Sequence, residues 1–226
     1  MITNILLQIT TLPAVTDKPN PVNDMSLLEL LMKGGWVLYP IILISLLSVY
    51  IMVAKYFEIR TLTKIDESIL NGMKNSLRKG DIEQANSFVQ HGNSSYSRVF
   101  AHAIANIGKP VKEIENAIES VSEIEVNKMT RNIHYLGLFA GIAPMLGFIG
   151  TIAGVIKIFY SISITDNISI GIISGGLYQK MISSGTGLIV GVIAYTAYHI
   201  LNIMIDKYLS RIQVEAFDFV NIIQSK

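Results

Sequence analysis

Between Asn132 and Ile156 the chain reads NIHYLGLFAGIAPMLGFIGTIAGVI, without one charged residue. At about 1.5 Å of rise per residue, such a stretch built as a helix crosses a hydrocarbon core about 30 Å thick. Its composition is unlike that of a plain anchor, because Gly137, Gly141, Gly147, Gly150 and Gly154 recur among the apolar side chains, together with Pro144 and Thr151. Gly137 with Gly141 and Gly150 with Gly154 each form a G-x-x-x-G face. Small residues at this spacing let helices approach closely where lipid supplies no hydrophobic drive. The stretch therefore reads as a membrane helix made to pack against other protein.

Two further uncharged runs flank it. Gly34–Ala54 (GGWVLYPIILISLLSVYIMVA) is rich in Leu and Ile, with Trp36 and Tyr39 at its start and Tyr50 near its end, where amphipathic rings favour the headgroup level. Met181–Ile205 repeats the small-residue character with Ser183, Ser184, Gly185, Thr186, Gly187 and Gly191, the last two glycines again four apart. Across the 226 residues only 15% are charged, against about 25% in an ordinary soluble domain, and the mean hydropathy is +0.46. The shortage is local: within the three runs and the connection between the last two, only Lys157, Asp166 and Lys180 are charged. A net charge of +1 argues against a nucleic-acid binder, and zero cysteine excludes a disulfide framework or a Cys zinc site. Span one follows no basic n-region and no small-residue cleavage site follows it, so it does not read as a signal peptide.

The expected fold is an all-α integral membrane protein of three transmembrane helices with long cytoplasmic helical extensions. The expected boundaries are an extracytoplasmic N-terminus over 1–33, transmembrane helices over 34–54, 132–160 and 179–205, a cytoplasmic helical domain over 55–131, a short extracytoplasmic loop over 161–178, and a cytoplasmic C-terminal helix over 206–226. Lys55, Arg60, Lys64, Lys128, Arg131, Lys207 and Arg211 outnumber Lys33, Lys157 and Lys180 near the span ends, which by the positive-inside rule puts the C-terminus in the cytoplasm. Ser26-x-x-Glu29 has the form of a capping box for an amphipathic segment at the outer interface. Gly80-Asp81 and the run His91–Ser95 punctuate the cytoplasmic block. After Pro110, the positions Val111, Ile114, Ile118, Val121 and Ile124 repeat at helical spacing, predicting one rod that runs straight into span two. Glu113, Glu115, Glu119, Glu123 and Glu125 read as its solvated face.

Thr151 precedes Lys157 by six residues and Ser184 follows Lys180 by four, so the two hydroxyls are expected at similar depth. Facing one another across a lumen and bonding their own helix carbonyls four residues back are both open to them. No span holds Asp, Glu or Arg, and an ion path normally needs an ionisable group inside the membrane; any path here must borrow one. His134 and His199 read as interfacial side chains, no cofactor is expected, and no Walker, G-x-S-x-G, HExxH or G-x-G-x-x-G motif is present.

Three stretches together resemble the MotA/TolQ/ExbB proton-channel family, and most of all its ExbB/TolQ branch: Gly34-Gly35-Trp36 with Pro40, LGLFAGIAPMLGFIGTIAGVIKIF (Leu136–Phe159), and GLYQKMISSGTGLIVGVIAYTAYHIL (Gly176–Leu201). Similarity extends through Gly80-Asp81 with Ala85 to Glu215 and Phe219. The resemblance implies a homo-oligomeric ring, a pentamer, around an ExbD-like single-span partner that supplies the missing membrane aspartate, with a TonB-like linker protein carrying the work to the outer membrane from an inner-membrane site. It implies pore-lining roles for Thr151 and Ser184. Two departures stand out: Ser184 occupies a position where many relatives have Thr, and Gln179, followed by Lys180, stands at the mouth of span three where several relatives have Glu. A TolQ-like or gliding-type motor, or a membrane scaffold that docks a cytoplasmic enzyme, are the alternative functions.

Overall fold

The computed structural model describes residues 35–165 and 170–225; the expected N-terminal segment with its Ser26-x-x-Glu29 box lies outside the described residues. Seven helices follow: α1 Leu38–Leu62, α2 Glu67–Lys79, α3 Ile82–Gln90, α4 Ser95–Ala105, α5 Val111–Thr130, α6 His134–Thr165 and α7 Ile170–Gln224. Three of the described helical stretches are long and apolar enough to cross a membrane, and they contain the three uncharged runs. Little of their apolar surface is covered within the chain: Leu43, Leu46, Phe148, Ile152, Ile156, Leu188, Ile189 and Val192 all stay exposed, as helices surrounded by lipid or by neighbouring subunits require.

The short helices between the first and second spans start and stop where local chemistry demands. Asp66 caps α2 by accepting from the Ser68 N–H at 3.1 Å, and Asp81 caps α3 through Gln84 at 2.8 Å. Ser94 does the same for α4 through Ser97. Gly80 ends α2 at φ 87°, a left-handed conformation that costs glycine nothing. With the C-terminal end of α1, the N-terminal end of α6 and the C-terminal half of α7 these helices enclose one core around Met73, Val99, Phe100, Ile114, Met129, Ile133, Leu201, Ile212 and Phe219, every one of them fully buried. The C-terminal half of α7 is held in it by Phe219 against Phe100, ring centroids 5.6 Å apart, and by Lys74, whose ammonium lies 2.7 Å from Glu215 and 2.9 Å from Asp218.

Three expectations are corrected. The rod of α5 does not run straight into span two: Arg131 turns to ψ 129°, Asn132 takes φ 72°, and α6 begins only at His134. Asparagine is among the few residues that tolerate this conformation. The stretch 161–178 is largely helical, since α6 runs on to Thr165 and α7 starts at Ile170. The C-terminal segment, by contrast, is continuous with span three in a single helix of 55 residues.

The third correction concerns Glu125, read from its neighbours as solvated. Along α5 the buried row is Ile114, Ile118, Ser122, Glu125 and Met129, whereas Ile124 faces solvent. Glu125 is 1% exposed. Its carboxylate accepts from Ser95 at 2.8 Å, from Lys128 at 2.7 Å and from the Arg98 guanidinium, so the buried charge is paired from three sides. Burial by itself would raise this carboxyl, but the hydrogen bonds from Arg98, Lys128 and Ser95 outweigh it and hold the group at about 2. Nearby, Lys55 in α1 pairs with Glu58 at 2.8 Å and places its ammonium 3.5 Å from the Lys128 carbonyl, a cation at the C-terminal end of α5.

A carboxyl depressed in the folded state stabilises fully above its unfolded value, about 4.3, and loses that contribution as the pH falls through about 2. Glu125→Gln should therefore cost about 1–3 kcal/mol near neutral pH, and the gap from wild type should close between about pH 4 and pH 2. Thermal melts in mild detergent across that range, followed by circular dichroism, check both the loss and its pH window.

Candidate functional site

Spans two and three form the most extensive helix pair in the chain, and glycine makes their contact possible. Adding a β-carbon to Gly147 would put it 3.0 Å from the Ser184 Cα and 3.1 Å from the Ser183 carbonyl; on Gly187 it would lie 2.5 Å from the Ala143 carbonyl. At Gly191 it would meet the Pro144 ring at 2.6 Å and the Ala140 carbonyl at 3.0 Å. Pro144, having no N–H, leaves that Ala140 carbonyl without its usual helical donor. Gly150 faces Ser183 and, from span one, Val37. These pairs define an antiparallel register in which the outer half of α6 lies against the outer half of α7, with α1 packed beside them around Val37 and Ile41.

Thr151 sits in this contact, half-buried. Its Oγ1 is 3.2 Å from the Gly147 carbonyl of its own helix and 3.3 Å from the Lys180 carbonyl across the interface. One hydroxyl proton has both acceptors within reach, one in its own helix and one across the contact. Ser184 lies level with Gly147, within about one turn of Thr151, and is also half-buried. Among the described residues its hydroxyl makes no hydrogen bond. Ser183, which the sequence did not single out, is fully buried against Gly150 and donates to the Lys180 carbonyl at 3.0 Å. Which of two adjacent serines faces span two depends on the register between helices, and no spacing within α7 alone fixes it.

The glycine faces divide into two groups. Gly147, Gly150, Gly154, Gly187 and Gly191 are occupied within the chain, Gly137 touches only the Tyr198 ring at 3.4 Å, and Gly141 and Gly185 have nothing within 4 Å of an added β-carbon. Lys180 is half-buried with its stem laid over Gly154, where a methyl group would overlap Cγ, Cδ and Cε. Gln179 lies in α7 beside it. His134 and His199 are both exposed, the latter edge-on to Tyr195 with centroids 4.3 Å apart. No cluster of three metal-ligating side chains occurs among the described residues.

The profile of the MotA/TolQ/ExbB proton channel family matches residues 87–214, more than half of the chain and the whole of spans two and three with their contact. The chain belongs to this family. It is similar to a putative biopolymer transport protein ExbB homolog of Methanothermobacter thermautotrophicus, 25% identical over 190 residues, covering 84% of this chain and 67% of the relative. A biopolymer transport protein of the ExbB type from Vibrio cholerae is 20% identical over 201 residues, 87% of this chain and 88% of that protein. A putative ExbB-like biopolymer transport protein from Synechocystis is 24% identical over 163 residues, covering 71% and 78%.

Membership of a proton-channel family makes this a membrane protein of the ExbB/TolQ/MotA energiser type, not a member of an enzyme class. The family's small-residue pattern is used here first to dock one membrane helix on another within a chain. Gly187→Ala drives a methyl onto a backbone carbonyl and should cost about 1–3 kcal/mol. Gly185→Ala meets open space and should be neutral or slightly stabilising through helix propensity. Melting temperatures of the two variants in the same detergent test the contrast.

Proposed function

We propose that the chain is the ExbB-type ring subunit of an inner-membrane motor driven by the proton motive force, with its N-terminus periplasmic and its C-terminus cytoplasmic. Five copies surround an ExbD-like single-span partner, and a TonB-like linker protein carries the work to transport across the outer membrane. The observation that carries this reading is the placing of two hydroxyls, Thr151 and Ser184, within about one turn of each other at a glycine-packed contact of two spans whose uncharged runs contain no carboxylate. Such a layer can offer hydrogen bonds to a carboxylate brought in by another chain. It holds no acid of its own to compete for the proton.

The energetics fit a cyclic step. An ion crossing the membrane releases about 2.3 kcal/mol per 100 mV of potential, enough to drive a change of position of the partner inside the ring. Once neutralised, the carboxyl can move past walls of Gly, Ala, Ser and Thr, small side chains that carry no charge of their own. The open sides of Gly141 and Gly185 leave room for close approach of a neighbouring copy or of the partner helix.

Thr151→Val and Ser184→Val, made in the host that carries the partner gene, should each reduce energised uptake at least tenfold while the purified complex keeps its wild-type mass by native mass spectrometry. Full uptake in both variants overturns the pore assignment. Intact uptake in a deletion strain, with a leaking envelope or lost motility instead, assigns the motor to a TolQ-like or gliding role.

A further inference from the structure

Among the described residues Lys180 is the charged side chain packed on the contact of spans two and three, and its surroundings are unusual for a membrane lysine. Its carbonyl is held by Thr151 and Ser183, at 3.3 and 3.0 Å, so the backbone is tied to the contact. Its stem folds inward across Gly154, which as glycine leaves the only room for it. Lys157, the other cation near this level, is exposed and free of such packing. The titratable groups closest in register on the packed elements are Lys157 and Tyr160 on α6, Tyr178 on α7 and Tyr39 on α1; Asp166 lies outside the described residues. Among the described residues no carboxylate pairs with Lys180. A half-buried lysine packed on this contact, with no carboxylate beside it among the described residues, calls for an anion supplied from elsewhere.

We propose that Lys180 is the charge-setting residue of the ion path, and that its ammonium pairs with the carboxylate that the partner span brings to Thr151 and Ser184. The inference rests on the motor reading above and deepens it. A cation within about 4–6 Å of a carboxylate favours the ionised form and lowers its proton affinity by about 1–3 pH units. The pair must therefore be broken, or protonated at higher proton concentration, each time the carboxylate is neutralised. Lys180 thus makes the motor operate at a more acidic outer pH than an uncharged mouth would.

The experiment is the pH dependence of energised uptake in cells carrying the full complex. Lys180→Gln should move the half-maximal pH upward by about one unit, a tenfold change in proton concentration, while Lys180→Arg keeps the wild-type midpoint. Gly154→Ala, which leaves the charge but displaces the stem, should shift the midpoint in the same direction as Lys180→Gln. In the wild-type complex, carbodiimide coupling, which condenses an amine with a carboxylate in contact, should yield a Lys180 peptide joined to the partner's span. A wild-type midpoint in Lys180→Gln overturns the inference, and Lys180 is then an anchor for a lipid phosphate. That failure is distinct from failure of the motor reading, which shows itself as full uptake in Thr151→Val and Ser184→Val.

Discussion

The near-contact of two membrane helices, span two against span three, is the constraint from which the remaining arrangement follows. In lipid nothing pushes apolar helices together, so the attraction must come from packing at short range. The backbone of Gly187 approaches the Ala143 carbonyl so closely that not even one methyl group fits. That approach fixes the register, and the register decides which side chains share a level: Thr151 with Lys180, Gly150 with Ser183, Gly147 with Ser184. A hydroxyl layer at one depth is thus a by-product of glycine spacing on both helices. The same closeness strips the interface of bulky side chains and sends them outward, where lipid or another subunit receives them.

The helical block outside the spans obeys the opposite rule. There, water is the solvent, and burial of Phe100, Met73, Phe219 and their neighbours drives assembly. The two regimes meet where α1, α5, α6 and α7 pass between them, and the junction is polar. Lys55 reaches the end of α5, and Glu125 collects Ser95, Arg98 and Lys128. Charges at this level neither enter the lipid nor interrupt the soluble core.

Much of this was legible in the sequence because it depends on local patterns. The spans follow from runs without charge, the breaks at Gly80-Asp81 and His91–Ser95 from their turn-forming residues, and the similar depth of the two hydroxyls from distance to the nearest lysines. What the sequence hid depends on relations between helices. Glu125 is indistinguishable along α5 from Glu119 or Glu123 until α4 brings Arg98 and Ser95 against it. Ser183 and Ser184 are adjacent, and only the opposing helix separates the buried one from the other. The break at Arg131–Ile133 has no proline or glycine to announce it; one asparagine in a left-handed conformation suffices. The continuation of α6 to Thr165 and the start of α7 at Ile170 were hidden by a composition of Ser, Ile and Gly that suits a loop as well.

The longest helix adds a mechanical property to this picture. From Ile170 to Gln224, α7 extends for about 80 Å, contains no proline, and has no glycine beyond Gly191. It is a stiff beam, clamped at one end by Phe219 and Glu215 in the soluble core and softened by six glycines at the other. A tilt of about 5° near Ser184 would displace Phe219, about 50 Å further along the helix, by about 4–5 Å together with the core that holds it. Compliance is thus concentrated beside the hydroxyl layer and rigidity in the glycine-free shaft, so a small change around Ser184 is converted into a larger excursion at the far end of the helix.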